Sequence, residues 1–205
     1  MPEKYIDNFC FCSSVFEFLD TPKKEWLKAM KENYPFVTPH ELSDAQVTAW
    51  KDEYDVLEKG LSACVNKNRD YGKLSIVFEY VLWDFDNEYG VRPDVLILSK
   101  DRVGIIEFKT RPFSKEDHIY ITSQAKKYRH RLLHNHDRSK GMKLSVAAVS
   151  TSMKDYYEIL GRVKCISPDR FEDIRESLMG RYPKAHEDVY GWIGSDYHFE
   201  KTITK

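Results

Sequence analysis

Between residues 74 and 110 the chain stops repeating at helical spacing and runs as three apolar segments with little chain between them. Residues 74–83 (LSIVFEYVLW), 92–99 (RPDVLILS) and 103–110 (VGIIEFKT) are rich in β-branched and aromatic residues, the composition of strands. An acidic turn, DFDNEYG, joins the first two and ends on the breaker Gly90. Lys100-Asp101-Arg102 joins the second and third. Connections this short hold no crossover helix, so the three strands are expected to form an antiparallel meander. That excludes a doubly wound parallel sheet.

The flanks are helical. Thr21-Pro22 fits the start of a helix through Trp26, Leu27 and Met30. Ser43 and Gln46 fit a capping box, followed at helical spacing by Val47, Trp50, Tyr54, Leu57 and Leu61. Gly60 or the segment Asn66-Lys67-Asn68 ends that helix. After the meander the pattern predicts a helix over about 119–134, a strand over 143–150 and a short strand in RVKCIS. A last helix opens at Ser167-Pro168 and stops at Gly180. The order is helix, three strands, helix, strand, then further elements. It predicts an α/β fold with a mixed central sheet flanked by helices, in one domain over 1–205. Residues 1–70 are its mainly helical part, 74–150 its core and 151–205 its C-terminal elements.

Composition removes other classes. The 205 residues are 41% apolar, enough for a core, and 32 basic residues against 33 acidic leave a net charge of −1. Intrinsic disorder is excluded, and so is a protein basic over its whole surface. No apolar run of about 18 residues predicts a membrane span, and the N-terminus lacks the layout of a signal peptide, so a cytoplasmic protein without a membrane partner is expected. Cys10, Cys12, Cys64 and Cys165 are too few for a disulfide framework.

Acids stand where buried strands should be apolar. Pro93-Asp94 opens the second strand, and Glu107-Phe108-Lys109 closes the third. Alternation puts Ile105, Glu107 and Lys109 on one face of that strand and Ile106 and Phe108 on the other. Neighbouring strands of a meander bring Asp94 and Glu107 together, where two carboxylates repel each other and lose solvation. A divalent cation such as Mg2+ resolves the conflict, and a lysine beside it can orient a water or offset phosphate charge. The plain alternative is a sheet-edge ion pair of Lys109 with Glu107 or Asp94. Glu79 is a further acid inside an apolar strand. The alternation there sets Ile76, Phe78, Tyr80 and Leu82 opposite Val77, Glu79 and Val81. Pro168-Asp169 lies at a helix start with no ExK after it, where Asp169 is a first-turn acid.

The run from Pro93-Asp94 to Glu107-Phe108-Lys109 resembles the PD-(D/E)XK nuclease superfamily, and the element order matches the restriction-endonuclease-like core α-β-β-β-α-β. Gln124 and Tyr128, four residues apart on the next helix, resemble the Gln-xxx-Tyr signature of the RecB-like branch. The segment from IVFEYVL to VGIIEFK is similar to the nuclease portion before a superfamily 1 helicase in bacterial nuclease–helicase fusions. The resemblance spans roughly residues 9–150. It implies Mg2+- or Mn2+-dependent phosphodiester hydrolysis of DNA. Asp94, Glu107 and the Phe108 carbonyl would hold the metal, Glu79 would assist, and Lys109 would position the water. Gln124 and Tyr128 would steady the lysine or the phosphate. Glu53 on the preceding helix is the runner-up to Glu79 as first acid. DNA is the implied partner, with a helicase domain in the same or another chain. A role in DNA repair or phage defence follows by analogy. A nucleic-acid-binding module with the same fold but no catalysis is the alternative. A remoter one is an interaction domain whose strand acids form ion pairs.

Other signals fail. The cysteine spacing does not fit the iron–sulfur cluster of some RecB-like relatives, and no zinc pattern is present, so neither cofactor is expected. His130 and His134 share a helical face without HExxH, which leaves them as cations near a helix end. The acidic turn lacks the glycine and chelating glutamate of a calcium loop. No GxxxxGK[ST] occurs, so a helicase is not part of this chain. Charge is uneven, however. Residues 100–143 hold 12 Lys/Arg against 5 acids, a surplus of seven that leaves −8 for the remainder. Near-neutrality thus conceals a basic segment running from Lys109 along the Gln-Tyr helix, where a phosphate backbone would lie.

Overall fold

A computed structural model describes residues 8–38, 40–84 and 87–197. The chain opens with β1 (Phe11–Ser14), α1 (Val15–Asp20), α2 (Lys23–Val37) and α3 (Asp44–Lys67). Then follow β2 (Ser75–Phe78), a hairpin of β3 (Leu82–Asp84) and β4 (Asn87–Val91), β5 (Val95–Leu98) and β6 (Arg102–Lys109). Next come α4 (Lys115–His130), β7 (Lys143–Ser150), β8 (Tyr157–Leu160) and β9 (Val163–Ile166), and finally α5 (Arg175–Met179) and α6 (Val189–Ile193). One seven-stranded sheet has the order β1-β2-β5-β6-β7-β9-β8. Pairing is antiparallel from β1 to β6, parallel for β6–β7 and β7–β9, and antiparallel at β9–β8. The switch falls where α4 supplies the long crossover that a parallel neighbour requires. The fold is thus α/β with a mixed central sheet flanked by helices. Among the described residues no helix is long and apolar enough to cross a membrane.

Each face of the sheet buries its own core. Trp26, Trp50, Leu57 and Phe18 from α1–α3 pack on Ile76, Phe78, Ile106 and Phe108. On the other face Ile121, Tyr128 and Leu132 cover Val77, Ile105 and Val146, with Trp192 of α6 beside them. In β6 the predicted alternation holds: Ile105 joins the second core, Ile106 and Phe108 the first.

Several boundaries differ from the expected ones. The segment 74–83 is not one strand. It breaks at Glu79, whose φ is 55°, a conformation costing a non-glycine residue about 1–2 kcal/mol. The phase of alternation flips there, so Val81 joins the first core while Tyr80 and Leu82 join the second. The predicted grouping of Ile76 and Phe78 with Tyr80 and Leu82 therefore fails.

The first seventy residues also hold a strand, β1, which forms one sheet edge, and β8 forms the other. Helix α3 runs through Gly60, where a Cβ would meet the Phe171 ring at 2.5 Å, and is capped at Asn68. Ser43 caps its start by accepting from Gln46 N–H, but only half of the expected capping box forms, because the Gln46 amide turns to Glu79. Helix α4 begins four residues before the predicted 119, because Ser114 and Asp117 form a capping box. A π-helical turn, Arg131–Asn135, follows it. The last predicted helix opens as a 3-10 turn, Pro168–Ile174, becomes α5, and stops at Gly180 with φ 88°. The middle of the acidic turn (85, 86) and residues 198–205 of the C-terminal segment lie outside the described residues.

Candidate active site

Asp94 and Glu107 meet because of strand register. Val95 pairs with Ile106 between β5 and β6, and one residue further sets Asp94 opposite Glu107. Phe108 N–H donates to Asp94 Oδ2 at 2.7 Å, and Asp94 N–H donates to Glu107 Oε1 at 3.4 Å. From α4, the Tyr128 hydroxyl donates to Glu107 Oε1 at 2.8 Å. Tyr128 therefore steadies the carboxylate, not the lysine. Lys109 Nζ lies 4.8 Å from the ring centroid of Tyr120. Gln124 Nε2 donates to the Tyr120 hydroxyl at 2.7 Å, which ties Gln124 to the lysine's neighbour instead of to the lysine. Gln124 Oε1 is buried without a partner among the described residues.

Glu79 stands apart in chemistry. It is 1% exposed, and both its oxygens are taken. Arg92 Nε holds Oε2 at 2.5 Å, while Trp50 Nε1 donates to Oε1 at 2.8 Å and Gln46 Nε2 approaches the same oxygen at 3.5 Å. The stored strain at Glu79 is thus matched by a local set of contacts. Burial pushes its pKa up to about 7, with Arg92 pulling down and Asp94 pushing up.

Glu53, on α3, is 4% exposed, and its Oε2 has no hydrogen-bond partner among the described residues. Burial, then the charges of Asp94, Glu79 and Glu107, hold its pKa well above the carboxylate range. Burial and Asp94 do the same to Glu107, against the Tyr128 hydrogen bond. Asp94 is raised by burial and pulled back by Phe108 N–H, Lys109 and Arg92. Four acids thus share one field, and only Glu79 has an ion-pair partner among the described residues. Sequence reasoning ranked Glu53 second. The signal that favours it is its spacing: three residues after Trp50, it sits against the apolar stripe of α3 and not on a solvated face.

The donors are all oxygens, the set that Mg2+ takes. Their mutual repulsion and the orphaned Glu53 Oε2 fit a hard cation held by Asp94, Glu107 and Glu53. In this conformation, among the described residues, no three His, Cys, Asp or Glu side chains converge as a metal site would require. Outside the cluster, Lys126 and Lys127 of α4 are exposed and form no ion pair among the described residues. Other cations of the basic segment are engaged: Lys100 with Glu187, Arg111 with Asp117, Arg138 with Asp188 and Lys140 with Asp137. The His130 and His134 rings are 5.3 Å apart. Cys10, Cys12, Cys64 and Cys165 are free thiols, and Cys10 and Cys64 lie in a different core from Cys165.

No family model and no curated protein matches the chain. A solved structure, that of protein VC1899 from Vibrio cholerae, is similar at 14% identity with a TM-score of 0.36. The match covers 80% of this chain and 48% of that one, so the chain spans about half of VC1899.

Proposed function

We propose that the protein is a metal-dependent nuclease that hydrolyses phosphodiester bonds of DNA, a member of the RecB-like branch of the PD-(D/E)XK superfamily. The observation that carries this is the juxtaposition of Asp94 and Glu107 across β5 and β6, within the field of an unpartnered Glu53 and of Lys109. Asp94, Glu107 and Glu53 would hold Mg2+ or Mn2+. Glu53 takes the place first considered for Glu79, because Arg92 and Trp50 already satisfy Glu79. When bound, the cation supplies Lewis-acid charge that offsets the negative charge of the phosphate. The chain's own groups do the rest. Phe108 N–H and the Tyr128 hydroxyl fix the two strand carboxylates, which removes reorganisation from the reaction. Lys109 donates to the incoming water or to a non-bridging phosphate oxygen. Lys126 and Lys127 offer charge to the neighbouring backbone. A helicase domain, in the same or another chain, would deliver the strand.

The test is cleavage of linear and circular, single- and double-stranded DNA in Mg2+, Mn2+ or EDTA. Native protein is expected to cut with either metal and not in EDTA. Asp94→Ala and Lys109→Ala are each expected to lose at least about a hundredfold. Cleavage that survives both, or that ignores EDTA, contradicts the mechanism. The lack of a converged three-group metal cluster favours one second reading, a DNA-binding module without catalysis. Tight binding without cleavage in either metal would establish it.

A further inference from the structure

The two edges of the sheet are guarded differently. At β1 all four residues are half-buried, and the Asn33 side chain from α2 donates to the Cys10 carbonyl at 2.9 Å, just before the strand. At β8, Tyr157, Glu158 and Ile159 are exposed, Ile159 by 57%. Folded proteins blunt open edges with lysine, proline or a bulge. The strand Tyr157–Leu160 holds no lysine or proline, and its register with β9 is unbroken.

Hydrogen-bond parity identifies the free backbone groups. Ser167 N–H donates to the Tyr156 carbonyl at 3.0 Å, and the register continues from Tyr157–Ile166 to Leu160–Val163. Residues 156, 158 and 160 therefore turn their backbone groups to β9, while Tyr157 and Ile159 turn theirs outward. Side chains alternate too. Glu158 faces α4, with His118 Nε2 3.9 Å from its carboxylate, and Tyr157 and Ile159 lie on the other face. Past the strand, Gly161 has φ 60°, and a Cβ there would meet nothing within 4 Å. Charge is divided along the edge. Glu158 stands in the strand, and Arg162 is exposed beyond its end. Burial and then the charge of Arg162 lower the pKa of Arg129 on α4, so two like charges stand together there. Neither arginine has an ion pair among the described residues.

We propose that β8 is a dimer interface, along which two copies of this chain pair antiparallel with Ile159 on the two-fold axis. Each Ile159 then exchanges both backbone hydrogen bonds with its counterpart. Tyr157 lies opposite Gly161 of the second copy, whose missing side chain leaves room for the ring. Glu158 lies opposite Leu160, with Arg162 of the second copy at the diagonal, within reach of a long side chain. The right-handed twist of the sheet brings this diagonal closer than the one between the two glutamates. The repulsion that Arg129 and Arg162 leave in one copy is thus relieved by Glu158 of the other. A pair centred on Glu158 would instead set two carboxylates face to face. The axis is perpendicular to the sheet, so two seven-stranded sheets become one and both α4 helices lie on the same face.

The test is sedimentation velocity of the whole chain over a concentration series, with amide hydrogen exchange alongside. Native protein is expected to sediment as a dimer, with the Ile159 amide protected at high concentration and exchanging freely on dilution. Ile159→Lys should weaken association at least about tenfold, because two ammonium groups would meet on the axis. Arg162→Glu should weaken it about 2- to 30-fold through two like-charge pairs. Glu158→Arg combined with Arg162→Glu should recover most of that loss. Thermal unfolding checks that the variants are folded. Native protein that stays monomeric at about 0.2 mM would overturn the proposal and leave the edge to another partner or to none. A dimer that Ile159→Lys leaves intact, or a double variant no tighter than Arg162→Glu, would overturn it as well. No metal or nucleic acid enters these readouts, so their outcome is independent of the nuclease reading.

Discussion

Four acids sit within one site and are treated in opposite ways. Glu79 lies at a break in the sheet and is held by a guanidinium and an indole, with both oxygens satisfied inside the protein. Asp94, one residue before β5, and Glu107, on β6, take hydrogen bonds from neutral groups and share the field of Glu53, whose Oε2 has no partner among the described residues. A buried acid with its own cation is a structural element. Acids that raise one another's pKa and have no ion-pair partner among the described residues are where we propose that an external cation binds. On this contrast we propose Glu53, and not Glu79, as the first acid.

The sharpest way to break the comparison is to remove the internal cation. Arg92→Ala leaves Glu79 buried without a counter-ion and is expected to cost about 3 kcal/mol at pH 8, read as a lowered urea midpoint. Glu79→Gln in the same chain should restore part of it. A smaller effect is expected on the other side: Tyr128→Phe removes one hydrogen bond from Glu107 and should cost about 1–2 kcal/mol. If Tyr128→Phe cost more than Arg92→Ala, the division between a structural Glu79 and the acids proposed for catalysis would be wrong.

The third effect is on pH dependence. Glu79 has a folded pKa near 7 against an ordinary value of 4.5, so the folded state holds a proton the unfolded chain has lost. Stability from this group is present at low pH and is lost as pH rises through about 7. In EDTA the urea midpoint should therefore rise from pH 8.5 to pH 7, and Glu79→Gln should reduce that slope, with the raised Glu53 and Glu107 contributing in the same direction. Below about 6.5 buried His136, held neutral with a pKa lowered to about 4, works in the opposite direction, so the window must stay above it. A midpoint that falls between pH 8.5 and 7 would contradict the assignment.

Much of this was legible in the residues. Pro93-Asp94 and Glu107-Phe108-Lys109 on neighbouring strands fixed the register that brings two carboxylates together, because side-chain period and turn length leave little choice. Alternation placed Ile105 and Ile106 on the correct faces. The break at Glu79 was not legible, since a glutamate at positive φ has no compositional mark and is stabilised by Arg92 and Trp50 from distant segments. The edge strands β1 and β8, four residues each, are too short to show a period. The role of Tyr128 was half legible: spacing put it on one face with Gln124, but which group it touches depends on how α4 crosses the sheet. Glu53 was marked only as runner-up to Glu79, through the resemblance, because its meaning comes from β5 and β6, forty and more residues away.

The most direct test of the account is calorimetric titration of Mn2+ into metal-free protein, with Glu53→Gln and Glu79→Gln alongside. The account predicts that native protein binds Mn2+, that Glu53→Gln weakens binding at least about tenfold, and that Glu79→Gln stays within about threefold of native. Loss of binding in Glu79→Gln with Glu53→Gln unchanged would contradict it.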